Sequence, residues 1–204
     1  MDLKKAYDCT NWDHLRMKLL HYGFGYLMTK LIMGCFASTS FAILIDGEAT
    51  KFFNSCRRLR QGCPLSPMLF ILVMEGLSLS LKKGHMKGNL MGIKVSRMVI
   101  ILHLLFVDNV LTMSKASITK WKEIHTLLYD FCVASRLDIN VNKSTFLHFG
   151  VQHGFLNNLT SLFHFGFLSL SPRFTYLGFY LNMDNYKVVD WQWVLLKYEH
   201  RIRH

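Results

Sequence analysis

The chain has 204 residues, 51% of them apolar, which is enough for the core of one domain, or of one domain plus a fragment of another, and excludes a disordered polypeptide. Lys and Arg number 24 against 13 Asp and Glu, a balance that favours an anionic partner, nucleic-acid phosphate being the commonest, although solvated basic faces would give the same count. The five cysteines (Cys9, Cys35, Cys56, Cys63, Cys132) form neither an even disulfide framework nor a paired metal-ligand spacing, so reduced thiols in an intracellular protein are expected.

In chain order, Asp2, Lys4 and Lys5 stand where a signal peptide would carry its apolar core. Asn11 predicts the cap of a helix running to about Tyr22, with Leu15, Leu19 and Leu20 on its inner face. A second helix is expected after Gly25. Thr39 to Ile45 alternates like a strand and meets a hairpin signal at Asp46-Gly47, leading to Phe52 and Phe53. Ser66-Pro67 predicts a helix start, a capping hydroxyl followed by proline, with Phe70, Val73, Met74, Leu77 and Leu81 at helical spacing until Gly84.

Val99 to Phe106 reads as a buried strand and Val110 to Met113 as its partner, with Asp108-Asn109 as the turn. Trp121, Ile124, Leu128 and Phe131 mark another amphipathic helix. Short strands are expected near Ser144 to Phe149 and Tyr176 to Leu181. From Asn182 onward the pattern gives no assignment. No membrane span is expected: Met98 to Val107 is too short, and the charge-free run from Thr145 to Pro172 is interrupted by Gln152, His153, Asn157 and Asn158. Helices mixed with antiparallel hairpins make the fold class α+β.

Three features carry chemistry. Asp2 opens a strand-like segment, and Asp108 sits at a hairpin turn, where a carboxylate is better placed for display than for packing. Two such groups brought together could hold Mg²⁺, which takes one or two carboxylates plus substrate phosphates; an ordinary turn aspartate remains the competing account. The third feature is Arg60-Gln61-Gly62-Cys63-Pro64-Leu65-Ser66-Pro67, in which a glycine allows close backbone approach and a helix N-terminus favours an anion.

The ordered set of motifs resembles the reverse transcriptases of non-LTR, LINE-type retrotransposons. Asp2-Leu3-Lys4-Lys5-Ala6-Tyr7-Asp8, with Trp12 following, is similar to their first catalytic motif, and Arg60 to Pro67 to their second palm motif. His103 to Asn109 resembles the metal-binding hairpin, Leu137 to Asn140 with Asn142-Lys143-Ser144 the next motif, and Tyr176-Leu177-Gly178 the one after. The string Arg-Gln-Gly-x-Pro-Leu-Ser-Pro is the most specific of these.

The resemblance implies an RNA-directed DNA polymerase with a right-hand palm, an antiparallel sheet with packed helices, over residues 1–181 and with the fingers largely missing. Residues 182–204 would be the start of a connection or thumb region, or unstructured. It implies two Mg²⁺ ions, with Mn²⁺ able to substitute, held by Asp2, Asp108 and the backbone carbonyl of Leu3. Tyr7 would exclude a 2′-hydroxyl, although plain core packing is the alternative reading of its ring. Gln61 and Gly62 would line the nucleotide pocket, Lys143 would assist the departing pyrophosphate, and Tyr176, Leu177 and Gly178 would steady the primer end. The partners implied are an RNA template, a DNA primer and deoxynucleoside triphosphates, and the compartment intracellular and nuclear.

The departures from the pattern bear on activity. Asn109 stands where a second aspartate is usual, Arg58 and Arg136 where glycine is usual, and Cys63 where aspartate is common. Asp2 is the second residue, so little strand precedes it. Impaired catalysis is therefore expected, and a non-catalytic nucleic-acid-binding remnant or a decayed relic stands as the alternative.

Overall fold

The computed structural model describes residues 1–54, 58–60, 62–170, 173–182 and 187–202, and the backbone alone at 173–175 and 179–182. The chain opens with β1 (Leu3–Lys4), α1 (Ala6–Cys9), α2 (Trp12–His21) and α3 (Tyr26–Ala37). Four short strands follow: β2 (Ser40–Phe41), β3 (Leu44–Ile45), β4 (Glu48–Ala49) and β5 (Phe53–Asn54). The long helix α4 (Leu65–Met86) leads to β6 (Ile93–Lys94), β7 (Ile100–Ile101), β8 (His103–Phe106) and β9 (Asn109–Thr112). Then come α5 (Ile118–Ser135), β10 (Asp138–Ile139), a 3₁₀ turn at Val141–Lys143, β11 (Thr145–His148), α6 (His153–Phe163) and β12 (Gly166–Ser169). Last are β13 (Arg173–Tyr176), β14 (Phe179–Asn182), a 3₁₀ turn at Val188–Trp191 and α7 (Gln192–Ile202). The fold is α+β, with every strand pairing of known direction antiparallel.

Two compact units make up the chain, one of residues 1–145 and 152–166, the other of 146–151 and 167–204. In the first, α2, α4 and α5 pack on one another, α6 lies on α5, and α4 also meets β8. Leu15, Leu19, Phe70, Val73, Leu77, Ile124 and Leu128 are buried there, at the helical spacing that the sequence displays. By length and composition α4 could cross a membrane, yet half of it is buried within this unit, as in the core helix of many water-soluble domains.

Local chemistry sets most element ends. The Asn11 side chain accepts from the backbone N–H groups of Asp13 (2.7 Å) and His14 (3.4 Å), capping α2 as expected. Leu20, placed on the inner face by its spacing, is 42% exposed instead. The helix α4 begins at Leu65, two residues ahead of the expected first position at Pro67, which falls in its first turn, where a missing N–H costs nothing. Ser66 caps nothing: its hydroxyl is buried and finds no hydrogen-bond partner among the described residues.

Hairpin turns follow the sign of φ. Asp46 and Gly47, with φ of 50° and 88°, join the Ile45–Glu48 pair, a primed turn matching strand twist. Leu177 and Gly178, at 52° and 81°, do the same between Tyr176 and Phe179, so the expected single strand from Tyr176 to Leu181 instead runs from the end of β13 through the turn into β14. The catalytic-type hairpin departs by one residue from the expected turn: Val107-Asp108 occupies it, and Asn109 already pairs with Phe106. The segment before it is not one buried strand but two short ones, β7 and β8, with Phe106 exposed. Three helices lacked any assignment in sequence: α1, directly after β1, α6, inside the charge-free run, and α7, beyond Asn182.

Candidate active site

Asp2 and Asp108 lie 106 positions apart and become backbone neighbours. Met1 and Val110 exchange two hydrogen bonds of 2.9 Å, Asp2 forms an antiparallel bridge with Asn109, and the Leu3 N–H donates to the Asp108 carbonyl at 3.2 Å. On the other side, β1 pairs with β10 through Leu3–Ile139 and Lys4–Asp138. The segments thus run β8, β9, β1, β10, side by side, with both acids at one end. The pairing works because apolar partners anchor it: Leu3, Val110 and Leu137 are buried beneath.

Each acid has an amide beside it. Asn140 donates its backbone N–H to the Asp2 carbonyl at 2.8 Å and its side-chain Nδ2 to Asp2 Oδ2 at 3.3 Å. The Asp2 N–H donates to Ser144 Oγ at 3.2 Å. Asn109 Nδ2 lies 3.5 Å from Asp108 Oδ1, at the outer limit of a hydrogen bond. Val107, a β-branched residue at φ 53°, takes the first turn position, with the half-buried Asp108 at the second. Strain of this kind costs on the order of 1–3 kcal/mol and persists where the surroundings over-determine it.

The second motif meets the first through its backbone. The Leu59 N–H donates to the Tyr7 carbonyl at 2.7 Å, and Trp12 Nε1 donates to the Arg58 carbonyl at 2.8 Å. The Tyr7 ring stacks on Phe70 of α4, with centroids 4.9 Å apart. Gly62 has φ 81° and open space where a side chain would project, so the close backbone approach expected of it is geometrically available. Gln61 lies outside the described residues, as do Arg57, Cys56 and Arg203.

Arg58 and Arg136, both at positions where glycine was the expected residue, do adopt glycine-like backbone: φ is 100° at Arg58 and 57° at Arg136, the left-handed end of α5. The Leu65 N–H, with Ser66 and the Arg60 charge, holds the Cys63 thiol below the usual range at the head of α4. Lys143 is exposed at the end of the 3₁₀ turn next to Ser144. Tyr176, Leu177 and Gly178 belong to the second unit, and burial pushes the Tyr176 phenol up.

Sequence reasoning quoted Asn140 and Ser144 as motif members without giving them a role. Their bonds to Asp2 depend on a pairing across 138 and 142 positions that no local pattern reports.

Two carboxylates plus substrate phosphates suit one Mg²⁺, but no group of three or more His, Cys, Asp or Glu side chains assembles among the described residues. The donor set fits divalent cations weakly, because Asn109 brings a carbonyl oxygen where a carboxylate would bring charge.

A hairpin that carries one acid thus lies against a strand that carries a second, backed by helices. Residues 1–181 match the family model for reverse transcriptase (RNA-dependent DNA polymerase), and the chain belongs to that family, whose members have a palm-like polymerase fold and generally use divalent metals. An uncharacterized mitochondrial protein of Arabidopsis thaliana is 45% identical over 67 residues, which are 32% of this chain and 55% of that protein. The matched stretch thus spans about half the length of that relative.

Proposed function

We propose that the chain is the palm of a LINE-type retrotransposon reverse transcriptase, copying an RNA template by adding deoxynucleotides to a DNA primer. The observation that carries this reading is the Asp2–Asn109 bridge, which sets the Asp2 strand against the hairpin that bears Asp108. Divalent ions, two Mg²⁺ or Mn²⁺, would be held by the carboxylates of Asp2 and Asp108 with the Leu3 carbonyl. When bound they supply positive charge for the attacking and leaving oxygens of an in-line displacement.

The chain's own residues do the positioning. The Asn140 amide restrains one oxygen of Asp2 and leaves the other for an ion. Tyr7, fixed by its stack on Phe70, closes the space beneath an incoming sugar and disfavours ribonucleotides. Gly62 lets the backbone approach the nucleotide. Lys143 gives a proton or a charge to the departing pyrophosphate. Tyr176, Leu177 and Gly178 steady the primer end. Exposed lysines such as Lys4, Lys5, Lys83 and Lys87, which form no ion pair with a described residue, contact the backbone of the template–primer duplex without reading its sequence.

A second reading, a non-catalytic nucleic-acid-binding remnant, is favoured by one observation: Asn109 leaves two carboxylates where the family's hairpin pattern implies three. Primer extension on a homopolymer RNA template with Mg²⁺ or Mn²⁺ separates the two. Incorporation that disappears in Asp108→Ala supports the polymerase. Salt-sensitive duplex binding with no incorporation supports the remnant.

A further inference from the structure

The strand β8 rests on α4 through a polar contact in an otherwise apolar seam. His103 Nε2 lies 3.0 Å from Ser78 Oγ. Ser78 is 4% exposed and shares the buried side of α4 with Met74, Leu77 and Leu81. Hydroxyl and imidazole satisfy each other where an unpaired polar group would be costly.

This contact decides which way β8 faces. Along the strand His103 and Leu105 are half-buried, whereas Leu104 and Phe106 are 38% and 56% exposed. Burial of apolar surface alone would favour the opposite choice, because Leu and Phe offer more of it than His and Leu. A slip of one residue in the pairing would make that exchange. The observed face is the one that gives Ser78 a partner. Through the pairs His103–Thr112, Leu105–Val110 and Phe106–Asn109, the same choice accompanies a buried Val110 and sets Asn109 opposite Asp2. We propose that His103 is a positioning residue: its bond to Ser78 fixes the face and register of the β8–β9 hairpin and so seats Asp108 beside the Asp2 strand. The consequence for ion binding rests on the function proposed above; the consequence for the hairpin does not. The ring serves only when neutral. An imidazolium would present a charged N–H at Nδ1, which is buried and has no hydrogen-bond partner among the described residues. Glu75 and Lys82, the charged groups of α4 near the ring, pair with each other at 3.6 Å, and Thr112 opposite on β9 is uncharged.

Native-state amide exchange on the full chain reads the hairpin apart from the helices. The Leu3 N–H, bonded to the Asp108 carbonyl, and the Val110 N–H, bonded to the Met1 carbonyl, report its seating; Leu19 of α2 and Leu128 of α5 serve as references. His103→Leu is expected to lower protection at Leu3 and Val110 about tenfold more than at the references, the effect of one buried hydroxyl left unpaired. His103→Gln, whose amide can reach Ser78, keeps that protection and removes the loss that wild type shows between about pH 7 and 5.5. Should His103→Leu fail to fold, combining it with Ser78→Ala removes the stranded hydroxyl. Protection then returns at Leu19 and Leu128 and stays low at Leu3 and Val110. Protection that falls equally at every one of these amides in His103→Leu overturns the proposal, as does a double variant that recovers them all. Mn²⁺ calorimetry follows the ion: His103→Leu weakens binding about tenfold, and Asp108→Ala abolishes it. If Asp108→Ala binds as wild type does, the ion-site reading fails, and the exchange result still decides the role of His103.

Discussion

Asp2 and Asn109 face each other across neighbouring strands as a pair without mutual backbone hydrogen bonds, the arrangement that brings opposed side chains closest. Asn109 also reaches toward Asp108 with its amide nitrogen. One neutral side chain therefore lies opposite one acid and beside the other. It relieves their repulsion when no cation is bound and forfeits the charge that would hold one.

Replacing that amide by a carboxylate reverses both effects. Asn109→Asp is expected to bind Mn²⁺ at least tenfold more tightly than wild type, measured by calorimetry. Tenfold is only about 1.4 kcal/mol, modest beside the Coulomb energy of a charge a few ångströms from a divalent ion. Without divalent ions the same variant should melt below wild type. A variant that melts lower and gains no affinity would show that the two acids do not share an ion site.

Arg58 and Arg136 hold positive φ that glycine adopts without steric cost. Arg136→Gly should raise stability by about 1 kcal/mol, since a left-handed residue with a side chain costs roughly 1–2 kcal/mol. Arg58→Gly should act in the same direction. The Trp12 bond to the Arg58 carbonyl is backbone-directed and survives the change. Denaturant midpoints with unchanged m-values would check both; a drop in either midpoint would mean that the arginine side chain contributes more than its backbone strain costs.

Acid should destabilise the first unit through two half-buried histidines. Burial, then the Lys18 charge, pushes the His14 imidazole below its usual range; burial, then Lys82, does so for His103 against an opposing pull from Glu75. His14 Nε2 and His103 Nδ1 have no hydrogen-bond partner among the described residues to receive a proton's charge. The unfolded chain thus binds protons more readily, and stability is full above about pH 6.5 and declines below it, toward the folded-state values. Replacing both histidines by Gln should flatten the decline between pH 7 and 5 in denaturant titrations.

Thiol reactivity should differ within one chain. The Cys63 thiol is held low by the Leu65 N–H, whereas burial and then Asp138 push the Cys132 thiol up to about 11. Near pH 7.5, iodoacetamide should modify Cys63 well ahead of Cys132, as read by peptide mass spectrometry. Equal rates would show that the head of α4 leaves the Cys63 thiol unperturbed.

Local signals were legible where the physics is local. The Asn11 cap, the Asp46-Gly47 turn and the apolar spacing of Phe70, Val73 and Leu77 depend on neighbours within a turn or two, and the sequence alone determines them. The motif order likewise determined the family. The hairpin register was missed by one residue because the structure accepts Val107 in a left-handed turn position, against its β-branched preference. The helix α6 was missed although its period is legible: Phe155, Leu156, Leu159, Leu162 and Phe163 line an inner face against exposed Asn157, Asn158, Thr160 and Ser161, uncharged polar residues that read only as breaks in an apolar run.

What tertiary structure alone decided is adjacency. Asp2 meets the hairpin, and Asn140 and Ser144 meet Asp2, through pairings that close more than a hundred residues of chain. No residue near Asp2 encodes those partners. They are chosen by burial of Leu3, Val110 and Leu137 in a common core, a sum over the whole molecule that a local pattern does not contain.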